Sequence, residues 1–376
     1  MRALTPLERV RSRQFLQLAL CAGVLALSGC PKMPRITTAN PTASASPSSN
    51  PTVSPSPTST PSPAASPSPK EDPTTFTMTV GEAPQAIALD AAGNGYVTLN
   101  DDIVRIDGAV GNLFTAKTTS LKNQGFTFGA PSGIVTIGSV TWFTDRTRQQ
   151  VRKITDESTG STQDFAFGEA PSRLVYEYPS NLWIADSGAA RVGILEADGF
   201  SNPFGATLAG VPDDLVVDRT GTGWALVTSG DQVHLAKLSK TFDGTKLSGI
   251  NVDSQVELTA LGSGAGLALD DQNGIWITGV AKGGQGQLMK IGENGTPTAD
   301  FNFQQVIPGR FAIRGGFAWI PDVSNDGTTI HKVSLATGQV LYSFPIGGKA
   351  SEIFKDPNGD LWVPISNGNA VVKLDF

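Results

Sequence analysis

The stretch Gly347-Gly-Lys-Ala-Ser-Glu-Ile-Phe-Lys-Asp-Pro-Asn-Gly-Asp-Leu-Trp362-Val-Pro-Ile-Ser-Asn-Gly-Asn-Ala-Val-Val-Lys-Leu374 decides the fold. It predicts a short apolar strand around Ile353, a tight turn at Asp356-Pro-Asn-Gly359 and a second strand through Trp362. A polar loop at Ser366 to Asn369 then leads to a third strand, Ala370 to Leu374. Asp at the first and Gly at the fourth position suit a type I turn. A hairpin of this size cannot bury its own faces, so it requires neighbours.

The neighbours are copies of itself. Aligned on one aromatic residue, the chain carries Tyr96, Trp142, Trp183, Trp224, Trp276, Trp319 and Trp362, at intervals of 46, 41, 41, 52, 43 and 43 residues. All 6 tryptophans fall in this register. An apolar anchor precedes each aromatic: Ile87, Ile134, Leu174, Leu215, Leu267, Phe311 and Ile353. Three residues before that anchor stand Pro84, Pro131, Pro171, Pro212 and Pro308, with Gly264 and Ala350 in the other two copies. The Asp-x-x-Gly turn reads as Asp90/Gly93, Asp218/Gly221, Asp271/Gly274 and Asp356/Gly359, while Gly138 and Gly315-Gly316 serve the shorter second and sixth units. A period in the low forties with short strands predicts an all-β, seven-bladed β-propeller of four-stranded antiparallel blades over residues 74 to 376. The last unit ends without a fourth strand, so Thr75 to Val80 is expected to pair outside Val371 to Leu374 and close the ring. The aromatic column is expected to pack between blades; a ligand cage would need its rings exposed.

The residues before the propeller read as an address and a tether. Arg2, Arg9, Arg11 and Arg13 form a basic n-region, and Phe15 to Leu27 is an apolar run short for a bilayer span. Leu27-Ser28-Gly29-Cys30 resembles the lipobox of bacterial lipoproteins, which implies cleavage after residue 29 and acylation of Cys30. The other reading is an ordinary secretory signal. Acyl anchoring implies a lipid bilayer partner and a place in the cell envelope, with the head outside the cytoplasm. Residues 31 to 73 hold twelve prolines among Ser, Thr and Ala, so they are expected to stay extended and solvated. At ~3.1 Å per residue such a tether reaches at most on the order of 120 Å.

Composition agrees with export. The 2 cysteines are Cys21, inside the signal, and Cys30, so the mature chain has no disulfide to form. Cleavage removes four Arg and one Glu, leaving 24 basic and 33 acidic side chains and a net charge of −9. That balance argues against nucleic acid as a partner. A monomer is expected.

The repeats resemble known propeller families. Gly168-Glu-Ala-Pro171 with Leu182-Trp-Ile-Ala-Asp-Ser-Gly-Ala-Ala-Arg-Val192 resembles an NHL repeat. Ser343-Phe-Pro-Ile-Gly347 with Leu361 to Leu374 resembles the YVTN-type repeat, and Ala130-Pro-Ser-Gly-Ile134 with Thr141-Trp-Phe-Thr-Asp145 is similar to the repeat of virginiamycin B (streptogramin) lyases. The lyase resemblance implies magnesium-dependent catalysis by histidines and a glutamate at the channel mouth. The matching places here read Asp145-Arg-Thr147, Asp186-Ser-Gly188 and Asp322-Val-Ser324, without histidine. The chain's 2 histidines, His234 and His331, fall in third strands. A lactonase-like metal enzyme is a further alternative, but no metal set for it stands out.

The residue just before each anchor should ring the channel mouth: Ala86, Gly133, Arg173, Asp214, Gly266, Arg310 and Glu352. Loops after the aromatic strands add Asp145, Arg146, Asp186, Arg191 and Asp322. Two readings stand for this set. It is either a polar funnel for a protein, a peptide end or a small polar ligand, or a ring of salt bridges that satisfies itself. Asp322-Val-Ser-Asn-Asp-Gly327 resembles the start of a calcium loop, making Asp322, Ser324 and Asp326 a candidate divalent-cation site. Val333 stands where the closing Glu belongs, and a polar loop with Asx turns is the plainer reading. No cofactor is expected. The sequence favours a binding module acting through the channel face, with a lyase-like or lactonase-like enzyme as the alternative.

Overall fold

The computed structural model describes residues 73–111, 115–198, 203–292, 294–324 and 327–376. The signal segment, Cys30, nearly all of the tether and Asp326 lie outside the described residues. No helix among the described residues is long and apolar enough to cross a membrane.

The described residues form seven four-stranded antiparallel sheets. The third blade is representative: Pro171–Glu177 innermost, then Asn181–Asp186, Arg191–Glu196 and Phe204–Thr207. The seven innermost strands touch their neighbours in cyclic order, so the sheets make a ring around a channel. The seventh blade is completed from the other end of the chain. Thr74–Thr79 pairs antiparallel with Ala370–Asp375, in the register Phe76↔Lys373 and Met78↔Val371. Phe76 and Met78 pack against the cluster containing Ile87 and Trp362.

Burial follows the repeat. Each of the seven aromatics is less than 10 % exposed, and each joins a cluster made mainly with the following blade. Trp183 meets Leu215 and Ala225, Trp319 meets Ile353 and Val363, and Trp362 meets Ile87 and Val97. Seven clusters fill seven seams, and removing one such ring would cost ~3–5 kcal/mol.

The Asp turns and the aromatics are coupled. Asp356 Oδ1 accepts the amides of Asn358 and Asp360, and its Oδ2 accepts Trp362 Nε1 at 3.1 Å. The same latch joins Asp218 to Trp224 and Asp270 to Trp276, and Glu177 accepts Trp183 Nε1 at 2.7 Å. This corrects the sequence reading of the fifth blade. Its turn is anchored by Asp270, not Asp271, because Asn273 at φ 68° occupies the left-handed position that Gly fills elsewhere. Opposite the aromatic, the third strand presents Lys153, Lys237, Lys290, Lys332 or Lys373, each with its ammonium 5.2–5.5 Å from the indole centroid.

The longest interval, 52 residues, has a structural source. The outer hairpin of the fourth blade runs 12 residues per strand, Gln232–Asp243 and Lys246–Glu257. Its Leu247 and Ile250 are buried in the cluster of Trp183, covering the four-residue outer strand of the third blade.

Candidate functional site

Four of the seven inner strands begin at the channel mouth with a bulge. The register shifts at Pro131/Ile134, Pro171/Arg173, Pro212/Asp214 and Gly264/Gly266. A bulge takes its extra residue off the ladder and re-aims the side chain. The repeated proline marks the place, having no N–H to give to the ladder.

Four of the residues that precede the anchors meet across the channel. Arg173 of the third blade donates from Nη1 to Glu352 of the seventh, and its Nε lies 3.1 Å from Asp214 Oδ1 of the fourth. Arg310 of the sixth blade places Nε 3.5 Å from the same oxygen and donates from Nη2 to the Asp213 carbonyl. Asp214 also accepts the amides of Leu215 and Leu267. Asp214 is 1 % exposed and Glu352 5 %. Burial works against the charge of Arg173, yet Glu352 and Asp214 outweigh it and hold the guanidinium above its ordinary pKa. Beside them, burial pushes the Asp213 carboxyl up, against the pull of Thr228, which donates at 2.5 Å, and of Arg310.

Around this chain of charges, hydroxyls stitch blade to blade. Thr98 Oγ1 donates to the Ser132 carbonyl, Ser132 Oγ to Ser172, Thr278 Oγ1 to Gly309 and Ser351 Oγ to Gln85. What remains open at the mouth is a cup of about 70 Å³ lined by Gln85, Ser132, Ser172, Ser351 and Arg310. A cup of that volume holds a few waters.

The loop residues divide into two kinds. Asp145 and Asp186 are fully buried. Asp186 accepts the amides of Glu169, Ala170, Gly188 and Ala189; Asp145 accepts those of Gly129, Ala130 and Arg148, together with Arg152 Nη1. Gly168 is obligatory there: at φ +71°, a Cβ would sit 1.5 Å from Asp186 Oδ2. Arg191 lies 3.7 Å from Asp186 and over the Phe167 ring. Arg146 is exposed and makes no ion pair among the described residues. Asp322 accepts the amides of Ile307 and Ser324, an Asx turn, and Asp326 is not described. Among the described residues there is no group of three or more His, Cys, Asp or Glu placed to hold a metal ion.

Both histidines sit in third strands as expected. His331 places Nδ1 2.8 Å from Ser343 Oγ and Nε2 3.4 Å from Thr329 Oγ1. Burial lowers its pKa against an opposing pull from Asp322.

The opposite face is where the larger hollows lie. A chamber of about 380 Å³ runs along the inner strands of the seventh, first, second and third blades, beyond Arg173 and Glu352. A groove of about 600 Å³ lies between the fourth and fifth blades, beside Asp218, Trp224, Lys237 and Lys290. Sequence reasoning placed the site at the mouth and did not find these hollows. The chamber's signal was present as the apolar run of inner-strand residues, but apolar core and apolar channel wall read alike in sequence.

No family model matches the chain, and no curated protein does. Among solved structures, it is similar to virginiamycin B lyase from Staphylococcus aureus, with 14% identity and a TM-score of 0.62 over 81% of this chain and 99% of that one. The WD40 β-propeller domain of Doa1 is similar at 11% identity and a TM-score of 0.57, over 80% of this chain and 97% of that one. The extracellular domain of BT4673 from B. thetaiotaomicron is similar at 11% identity and a TM-score of 0.56, over 78% of this chain and 40% of that one. At these identities the likeness is one of fold.

Proposed function

We propose that this chain is a lipid-anchored binding module, held out from a membrane by its proline-rich tether and docking a protein or peptide at the rim of the channel mouth. One observation carries the reading. The charged groups at the channel are taken up by one another and by backbone amides, while Arg146 and Glu169 stand exposed on the surrounding loops without an ion pair among the described residues. Groups committed in this way stiffen a platform; a general base needs a free lone pair within reach of a substrate proton. The anchor rests on the lipobox at Leu27 to Cys30.

Two measurements test it. Cys30→Ala should move the protein from the membrane to the soluble fraction, and unchanged partitioning would reject the anchor. In cells, a partner cross-linked to the wild-type rim should be lost with Arg146→Glu and Glu169→Arg while the melting temperature holds. Turnover of a streptogramin or lactone with added magnesium, abolished by Asp186→Asn or Asp322→Asn in a folded protein, would replace this reading with the lyase-like or lactonase-like one.

A further inference from the structure

The far half of the channel differs from the mouth in every property that matters to a ligand. Its walls are Ile87, Ile134, Leu174 and Ile353, with Tyr176 and the exposed Pro357 toward the outer end. Its inner end is closed by the Arg173–Glu352 pair. At about 380 Å³ it falls within the range of small-molecule pockets, whereas the 70 Å³ cup on the other side of the pair does not. Access is therefore from the face opposite the mouth. Apolar wall left in contact with water forgoes about 25 cal/mol per Å², which an apolar occupant recovers.

The inner end sets the polarity of that occupant. Arg173 lines this end and spends Nη1 on Glu352; its buried Nε lies 3.1 Å from Asp214 Oδ1 without making a hydrogen bond, and Nη2 donates to none of the described residues. A guanidinium carries five N–H donors and no acceptor, so the vacant position calls for an oxygen or nitrogen acceptor. Charge there is already balanced, Arg173 and Arg310 against Asp214 and Glu352. A charged ligand would be desolvated in the chamber without a counter-charge of its own.

We infer that this chamber is a second binding site, for a small, uncharged, mostly apolar molecule bearing one hydrogen-bond acceptor. It stands on different residues and a different face from the rim, so either can fail alone.

The test uses the full chain carrying Cys30→Ser, so that no acyl chain competes for an apolar probe. Prodan, an uncharged naphthalene fluorophore with one ketone, should bind saturably at one site with blue-shifted emission. Dimethylaminonaphthalene, which lacks the ketone, should bind on the order of tenfold more weakly. Thr136→Trp at the outer end of the chamber should abolish binding, and Phe242→Ser on the exposed outer hairpin of the fourth blade should leave it unchanged. Because a chamber variant can misfold, location is also read without one. Benzophenone photolabelling of the otherwise unaltered chain should mark peptides carrying Ile134, Leu174 or Ile353, and excess prodan should protect them. Absence of saturable binding, or labelling outside those peptides, would overturn the site. Equal affinity for the ketone-free analogue would overturn the role given to Arg173.

Discussion

The two ends of the channel are built on opposite plans. On the far face one device recurs in three blades: a turn carboxylate caps its own amides and holds the indole six residues on, at Asp218, Asp270 and Asp356. At the mouth the residue before each anchor does not repeat. Ala86, Gly133, Arg173, Asp214, Gly266, Arg310 and Glu352 occupy one structural position, and their bonds run between blades. Repetition makes the blades, and departure from it ties the ring and leaves one end closed and the other hollow. What is particular to this propeller therefore lies where the repeat is broken.

The largest effect should come from cutting the mouth. Arg173→Ala leaves the buried Glu352 carboxylate without its cation and Asp214 with Arg310 alone, and should cost ~3–5 kcal/mol in urea unfolding. Adding Glu352→Ala should return part of that loss, and a coupling near zero in the double-mutant cycle would show the two ends are not different in kind. The far-face latch should cost less, since it is a hydrogen-bonded cap within one blade. Asp356→Ala should lose about 1–3 kcal/mol, with Asp356→Asn between it and wild type. A latch variant worse than Arg173→Ala would invert the comparison.

Acid sharpens it further. Burial pushes Asp218 and Asp270 up, but hydrogen bonds from Thr220 and Trp224, and from Trp276 and Lys290, outweigh it and hold both below the ordinary carboxylate range. Their stabilisation is complete above the unfolded value of about 3.9 and is lost as the pH falls through the folded values. Asp213 at the mouth runs the other way, raised by burial. Its contribution is present below about 3.9 and is lost as the pH rises through its folded value. In melting temperature against pH, Asp218→Asn with Asp270→Asn should flatten the acid limb. Asp213→Asn should remove a loss on the less acidic side of it. The smallest effect belongs to the exposed rim, where Arg146→Glu should change stability by no more than about 0.5 kcal/mol in the same unfolding assay.

The repeat, the number of blades and the closing strand were legible because each is a pattern of residue types at near-constant spacing. The seven aromatics keep one register, and the missing fourth strand of the last unit called for Thr75 to Val80, which the structure supplies as Thr74–Thr79. The turn frame of the fifth blade was misread by one residue because Asn273 does the work of a glycine, a substitution visible only in φ. The lysines facing the indoles were overlooked because the loops between second and third strands differ in length, so no fixed spacing marks them.

By itself the sequence determined what is local and periodic: strands, turns and one buried ring per unit, since alternation and turn chemistry act over a few residues. Only the tertiary structure decided that Arg173 meets Glu352, 179 positions away, and that Arg310 meets Asp214. It also decided that Asp145 and Asp186 turn inward to backbone amides, and that the open volume lies on the far face. Those outcomes depend on how seven blades close on one another. Closure sets distances across the channel that no spacing along the chain encodes.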